Sequence, residues 1–507
     1  MNIADRFSIK KLTTDRLQVL IMGFVSLVTM VLLAVGSEAH ASLYQMAAVL
    51  LNGGAMLFVS TWLGQDLEPI GKKLVKLGAL CIGWLAVLTA VDFLRITHIV
   101  TDGLRFSLYT PLLEYLMLLP FGAIRREEKR YRGLELMGAA FSGGAVLLLC
   151  MFAMQTFNII PEGLLDILGR YSMEMRVAWS ANIYASVFLI AIGFQMFFIF
   201  TVKKRWLKIL LALLMVPEYC AIGLTQSRAV VALAAALAAG AVFITIHDGH
   251  FRKESICSLL LGILAAGLVL VTLSCCMQAL EHLRYARLGD NPKQLQKAIS
   301  LGKLAAVAFL AVLPLLLIAW SGWLQKERFR KILLVVLAAV FAAAILTGLY
   351  LLGAKQSGGE SVSLARMLFG VRIDIWQSAL ENIGKNPRIL LTGVLPGEEF
   401  PLWVGERQIF HTHNAWIQTL IDYGLVSLIL ALLLTWAALK NALQLIFSAW
   451  ASRPQKIVGI LILAILGAEI YETNLFFVPC PYQFANIAFL LCTGYAVYWV
   501  RREKAHK

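Results

Sequence analysis

Runs of roughly twenty apolar residues recur along the whole chain, and they dictate its solvent. A helix rises about 1.5 Å per residue, so crossing a hydrocarbon layer of about 30 Å takes roughly 20 such residues. The sequence supplies them near 18–36, 43–63, 75–93, 106–123, 133–156, 178–201, 206–224, 228–246, 255–277, 302–323, 330–352, 413–439, 456–475 and 483–500. Sixty per cent of the 507 residues are hydrophobic and the mean hydropathy is +0.77. An ordinary soluble domain cannot hide such a surplus. The expected fold is an all-α polytopic membrane protein of about 14 transmembrane helices.

The connections between these runs alternate in character. One set is short and basic: Arg6 to Arg16, Lys72 to Lys76, Arg125 to Arg132, Lys203-Lys204-Arg205, Arg252-Lys253, Lys326 to Lys331, Arg453 to Lys456, and Arg501 to Lys507. With the adjoining helix ends, it holds 29 of the 45 Lys and Arg. The positive-inside rule assigns that set to the cytoplasm. An even number of spans then leaves both basic termini cytoplasmic. The net charge of +15 follows from these loops, so it does not argue for nucleic acid. The eight cysteines show neither a disulfide framework nor a metal-ligand spacing. Ala39-His40-Ala41 has a signal-peptidase look, but the preceding run is too long for a signal peptide and reads as the first span.

The opposite set contains one long connection, from Gly353 to Thr412. Structureless loops of that length are uncommon. Leu364, Leu368, Val371, Ile375, Ala379 and Ile383 recur at helical spacing, and Gly384 follows as a stop. A large extracytoplasmic loop carrying an amphipathic helix is expected. The chain divides into N-terminal transmembrane helices (1–204), central helices (205–352), the large loop (353–412) and C-terminal helices (413–507).

Three places on this outer side can carry chemistry. Arg228 follows the very short connection Thr225-Gln226-Ser227, and its guanidinium can fork two hydrogen bonds to a phosphate. Arg366 and Arg372 accompany the loop helix. Trp376 lies four residues past Arg372 on the same face and can stack on a guanidinium or a sugar ring. His413 follows His411 and Thr412 at the re-entry into the membrane. Thr412 can cap the new helix, which would set His413 in its first turn as a neutral general base. Asn414 adjoins it. Asp422, two and a half turns deeper, is a candidate for orienting polar partners. Glu218, Glu469 and Glu472 are further carboxylates in or beside apolar runs, where charge is costly. His-x-His lacks a third ligand of matching spacing, so no metal and no cofactor are expected. Arginines suit a diphosphate and a histidine suits proton transfer. Together they describe an enzyme using a lipid-linked, phosphate-activated donor.

Thr225-Gln226-Ser227-Arg228, Arg372-Ile373-Asp374-Ile375-Trp376 and His413-Asn414 through Gln418 to Asp422-Tyr423-Gly424-Leu425 resemble the O-antigen ligase and O-antigen polymerase superfamily. The resemblance covers about residues 205–440. It implies a metal-independent glycosyltransferase of polysaccharide or lipopolysaccharide biosynthesis in the bacterial cytoplasmic membrane. A glycan would pass en bloc from undecaprenyl diphosphate to an acceptor hydroxyl, on a glycan or on lipid A-core. Arg228 and Arg372, with Arg366 as an extra candidate, would hold the diphosphate. His413 would take the acceptor proton. Trp376, Asn414 and Asp422 would support them. The family's ligases usually have about twelve spans, against the fourteen expected here.

A ligase-like transferase is the leading reading and a polymerase of the same superfamily the alternative. A transporter of lipid-linked oligosaccharide is the rival from another class, and a non-catalytic scaffold the third. Transporters show repeated halves with broken helices near the midplane. No internal repeat is visible, and the candidate residues cluster toward one face.

Overall fold

The computed structural model describes residues 69–95, 132–156, 181–224, 228–248, 253–281, 313–321, 323–336, 369–394, 400–404, 407–409, 411–473, 475–476 and 484–506, with isolated positions 23, 26, 27 and 339. Spans expected at 18–36, 43–63 and 106–123 lie outside the described residues but for isolated positions. So does much of those at 302–323 and 330–352.

The described elements are α1 (Pro69–Arg95), α2 (Arg132–Thr156), α3 (Ala181–Thr201), α4 (Arg205–Leu224), α5 (Arg228–Asp248), α6 (Lys253–Glu281), α7 (Arg372–Lys385), α8 (Ile389–Thr392), β1 (Leu402–Val404), β2 (Arg407–Ile409), α9 (Ala415–Phe447), α10 (Arg453–Glu469) and α11 (Phe484–His506). Among the described residues, four windows are long and apolar enough to cross a membrane: Gly133–Cys150, Tyr184–Thr201, Ala229–Asp248 and Ala415–Phe447.

Apolarity on all sides predicts a helix enclosed by others. In α3 nearly every residue from Tyr184 to Ile199 is buried. It packs against α2, α4, α5, α10 and α11. Outer helices are two-faced instead. On α9, Leu430, Ala431, Leu434, Ala438 and Ala442 are buried, whereas Leu425, Ile429, Leu432, Leu433 and Trp436 face outward. Large apolar side chains exposed along a whole helix fit a lipid surround.

Helices α5 and α10 run antiparallel. A methyl on Gly240 would lie 3.0 Å from Ile460, and one on Gly467 2.6 Å from Leu233. At the far end Lys456 Nζ meets Asp248 Oδ1 at 2.5 Å. The start of α5 therefore lies level with the end of α10. The basic starts and ends (Lys203 to Arg205, Lys253, Arg453 and Lys456) gather at the other end of these helices, where Lys208 donates to Ser255.

The segment before α9 builds a second, smaller core. Ile375, Ala379 and Ile383 of α7 are buried with Ile389, Leu402 and Ile421. Ile375, Ala379 and Ile383 of the stripe read from the sequence supply this face; Leu364 and Leu368 lie outside the described residues, and Val371 precedes the helix and is 57% exposed. The helix does not stop at Gly384. It runs to Lys385, and Asn386 caps it with its N–H on the carbonyls of Asn382 and Ile383. Pro387 follows, and the residue before a proline is disfavoured in a helix. Strands β1 and β2 pair antiparallel, with Leu402 opposite Ile409.

A backbone joint connects this unit to α9. Gly424 has φ 78 and ψ −176, and Gly393 has φ 74 and ψ −171, a region essentially reserved for glycine. A methyl on Gly424 would meet the Leu391 carbonyl oxygen at 2.7 Å; one on Gly393 would meet Asp422 at 2.3 Å. The break leaves the Ile421 carbonyl without its helical donor, and Val394 N–H fills the place at 2.7 Å. Residues 415–423 thus form a short segment distinct from the longer piece after the kink. Gly424→Ala is expected to destabilise by roughly 3 kcal/mol or more, from backbone strain plus the clash. A clear fall in detergent melting temperature or folded yield checks this.

Candidate functional site

The site forms where three elements converge: the start of α7, the turn entering α9, and the end of α10. Helix α9 begins at Ala415, not at His413. Asn414 is its cap, with Oδ1 accepting from the N–H groups of Trp416 and Ile417 at 3.1 and 3.0 Å. Thr412 was the expected cap, but its hydroxyl donates instead to the Asn414 carbonyl at 3.1 Å. Asn and Thr both cap well; here the residue nearer the helix takes the role. His413 consequently lies just outside the helix, at φ +50. That left-handed conformation costs a non-glycine residue roughly 1–2 kcal/mol.

Neighbours on both sides hold the turn. Thr412 N–H donates to Gln418 Oε1 at 2.9 Å, and its carbonyl accepts from Trp376 Nε1 at 3.0 Å. Gln418 Nε2 in turn donates to both Asp422 carboxylate oxygens, at 2.9 and 3.0 Å. Asn414 Nδ2 donates to the Ile470 carbonyl at 3.4 Å. A strained residue tied by its neighbours to three separate elements is a preorganised one.

The His413 side chain points at Glu472. Nδ1 and Oε1 are 3.6 Å apart; the His side chain is 22% exposed and the Glu 2%. A carboxylate behind Nδ1 favours the tautomer with hydrogen on Nδ1, leaving the Nε2 lone pair for a proton. The His411 ring lies edge-on to that of His413, with centroids 3.8 Å apart. Burial, followed by the neighbouring His413, pushes the His411 pKa down to about 4. His411 is thus neutral at physiological pH. In an unfolded chain it titrates near 6.5. Between the two values the unfolded chain holds more protons, so stability grows with pH from about 4 to 6.5 and is lost on acidification through that window. His411→Gln should flatten this dependence, seen as a smaller melting-temperature difference between pH 5 and pH 7.

Arg372 opens α7 and reaches the end of α10. Its Cζ lies 5.3 Å from the Tyr471 ring centroid, and Nη2 donates to the Tyr471 carbonyl at 3.4 Å. Its Nε is buried and meets no hydrogen-bond partner among the described residues. The aromatic partner is Tyr471, not Trp376 as the shared helix face suggests. Trp376 turns to Thr412 and packs on Phe369, whose ring also approaches Tyr471.

The structure thus brings together Arg372, Trp376, His413, Asn414 and Asp422. Arg228 is the first residue of α5, at the end of the helices shared with Glu469 and Glu472. Its side chain, the 225–227 turn and Arg366 lie outside the described residues. Tyr471 had no sequence signal, and Glu472 only that of a carboxylate in apolar surroundings. Among the described residues no three His, Cys, Asp or Glu groups gather as a metal site.

Residues 298–432 match a family model described as O-antigen ligase. The match supports the O-antigen ligase and polymerase superfamily, whose members are glycosyltransferase-like enzymes. It spans Arg366, Arg372 and His413 but neither Arg228 nor Glu472. No curated protein and no solved structure matches the chain.

Proposed function

We propose that the protein is an O-antigen ligase-like glycosyltransferase that moves a glycan en bloc from undecaprenyl diphosphate to an acceptor hydroxyl. The observation that carries this reading is one turn: His413, strained and tied down, backed by Glu472, with Arg372 held at the same helix end. In the proposed step the acceptor oxygen attacks the anomeric carbon and its proton passes to His413 Nε2. The bond from that carbon to the diphosphate oxygen breaks, with inversion, and undecaprenyl diphosphate departs. Arg372, with Arg228 and Arg366, takes up the charge that develops on the diphosphate. Glu472 holds the imidazole and balances its charge once protonated.

Sidedness follows the same reading. Basic residues gather at the opposite end of the helices, so the site end would face outward. Both termini would be cytoplasmic and fourteen spans would carry the chain across the inner membrane. A polymerase acting on a second lipid-linked glycan would use the same residues; the acceptor alone separates it from a ligase.

Reconstitution tests this. Purified protein in liposomes receives a glycan on undecaprenyl diphosphate with lipid A-core or a second lipid-linked glycan. Release of undecaprenyl diphosphate with a larger glycoconjugate is expected. Movement of the lipid-linked glycan across the bilayer, with no acceptor consumed, would overturn the reading in favour of a transporter.

A further inference from the structure

Transfer as proposed uses His413, Glu472 and Arg372 and gives His411 no part. His411 nonetheless belongs to the same cluster. It follows the end of β2 by two residues and precedes Thr412, which is buried and tied through its N–H to Gln418 and through its carbonyl to Trp376. The His411 ring stands edge-on to that of His413, with centroids 3.8 Å apart and planes at 66°. Its Nδ1 is buried and meets no hydrogen-bond partner among the described residues.

His413 lacks an anchor of its own. Its Nδ1 lies 3.6 Å from Glu472 Oε1, longer than a good hydrogen bond, and meets no hydrogen-bond partner among the described residues. Such an ion pair attracts the imidazole without fixing its rotation, and the ring torsion of histidine has broad minima. Proton transfer needs Nε2 within about 2.6–3.2 Å of the acceptor oxygen. Misplacement by about 1 Å can cost about 10²-fold. A second ring at 3.8 Å removes that freedom, because neither ring can turn far without meeting the other.

We propose that His411 is a positioning residue, whose ring edge fixes the rotation of the His413 imidazole so that Nδ1 faces Glu472 and Nε2 faces the acceptor hydroxyl. The inference rests on the reading of His413 as the base. A neutral ring suits the task. The charged groups that act on His411 are His413 in the turn, Arg372 at the start of α7 and Glu472 beyond α10. Burial, then His413, holds its pKa down to about 4, with Arg372 acting in the same direction and Glu472 against it. His411 therefore takes no proton from the acceptor and sets no further cation beside Arg372 and a protonated His413.

Three variants of the full-length protein in liposomes test this, with kcat and donor KM measured separately and referred to folded protein. His411→Ala removes the edge and should lower kcat roughly tenfold or more while donor KM stays within about twofold. His411→Phe restores a flat neutral ring without nitrogens and should recover most of that loss. A role in folding alone predicts less folded His411→Ala protein with an unchanged kcat, and that result overturns the proposal. His411→Phe as slow as His411→Ala also overturns it, because a ring nitrogen rather than the ring edge would then be required. If His411→Ala does not fold, His411→Leu fills the space without a flat edge; it should turn over more slowly than His411→Phe, and equal rates overturn the proposal. His413→Asn in the same assay separates the two readings. If it is inactive while His411→Ala is normal, only the role of His411 falls; if it transfers normally, both fall.

Discussion

His413→Asn should leave a folded protein that has lost transfer. Asparagine enters the left-handed region more readily than histidine, so the turn at φ +50 is retained and the melting temperature holds or rises. In the proposed step transfer depends on a group that accepts a proton, which an amide does not do. General-base contributions run to about 10²–10⁴-fold, and a loss of that size is expected in release of undecaprenyl diphosphate. His413→Ala should be equally inactive. Glu472→Gln should fall between: it keeps a hydrogen-bond acceptor behind Nδ1 but removes the charge that balances the imidazolium. Transfer within threefold of wild type in His413→Asn, at equal protein level, would remove His413 from the mechanism.

Arg372→Lys should cost roughly 10²-fold or more, the range for removing a donor that stabilises developing charge. The substitution keeps the charge and loses the planar fork. It also weakens the cation–π contact with the Tyr471 ring, whose centroid lies 5.3 Å from Cζ, that aims the guanidinium. Lysine is a strongly hydrated point charge on a flexible stem and gains less from that ring. The loss should appear at saturating donor as well as in KM, because the charge grows as the diphosphate leaves. A variant impaired only in KM would confine Arg372 to ground-state binding.

Much of this was legible in the sequence because it repeats locally. Apolar runs announce helices, and Ile375, Ala379 and Ile383 announce the buried face of α7. The motif residues stood out as candidates, because histidine and arginine in apolar surroundings are costly to keep. What escaped depends on partners far along the chain. Gly424 reads as one more small residue in an apolar run until Gly393 is seen against it. Glu472 is a misplaced charge until His413 is found 3.6 Å away. Tyr471 gives no signal at all, since its ring matters only where Arg372 reaches it. The cap escaped for another reason: Thr412 and Asn414 are both good cap formers, and the tie of Thr412 to Gln418 decides between them.

The dependence of the His413 turn on α10 has a consequence for how the protein is made. A nascent chain that has just completed α9 already contains Arg372, His413 and all of residues 298–432. It still lacks the Ile470 and Tyr471 carbonyls and the Glu472 carboxylate. During translation the candidate nucleophile-activating group therefore emerges unfinished, and it matures only when α10 has inserted beside α5. A ribosome that stalls or a message that ends before that point leaves a membrane-bound fragment that carries the matched segment without the groups that complete the candidate site.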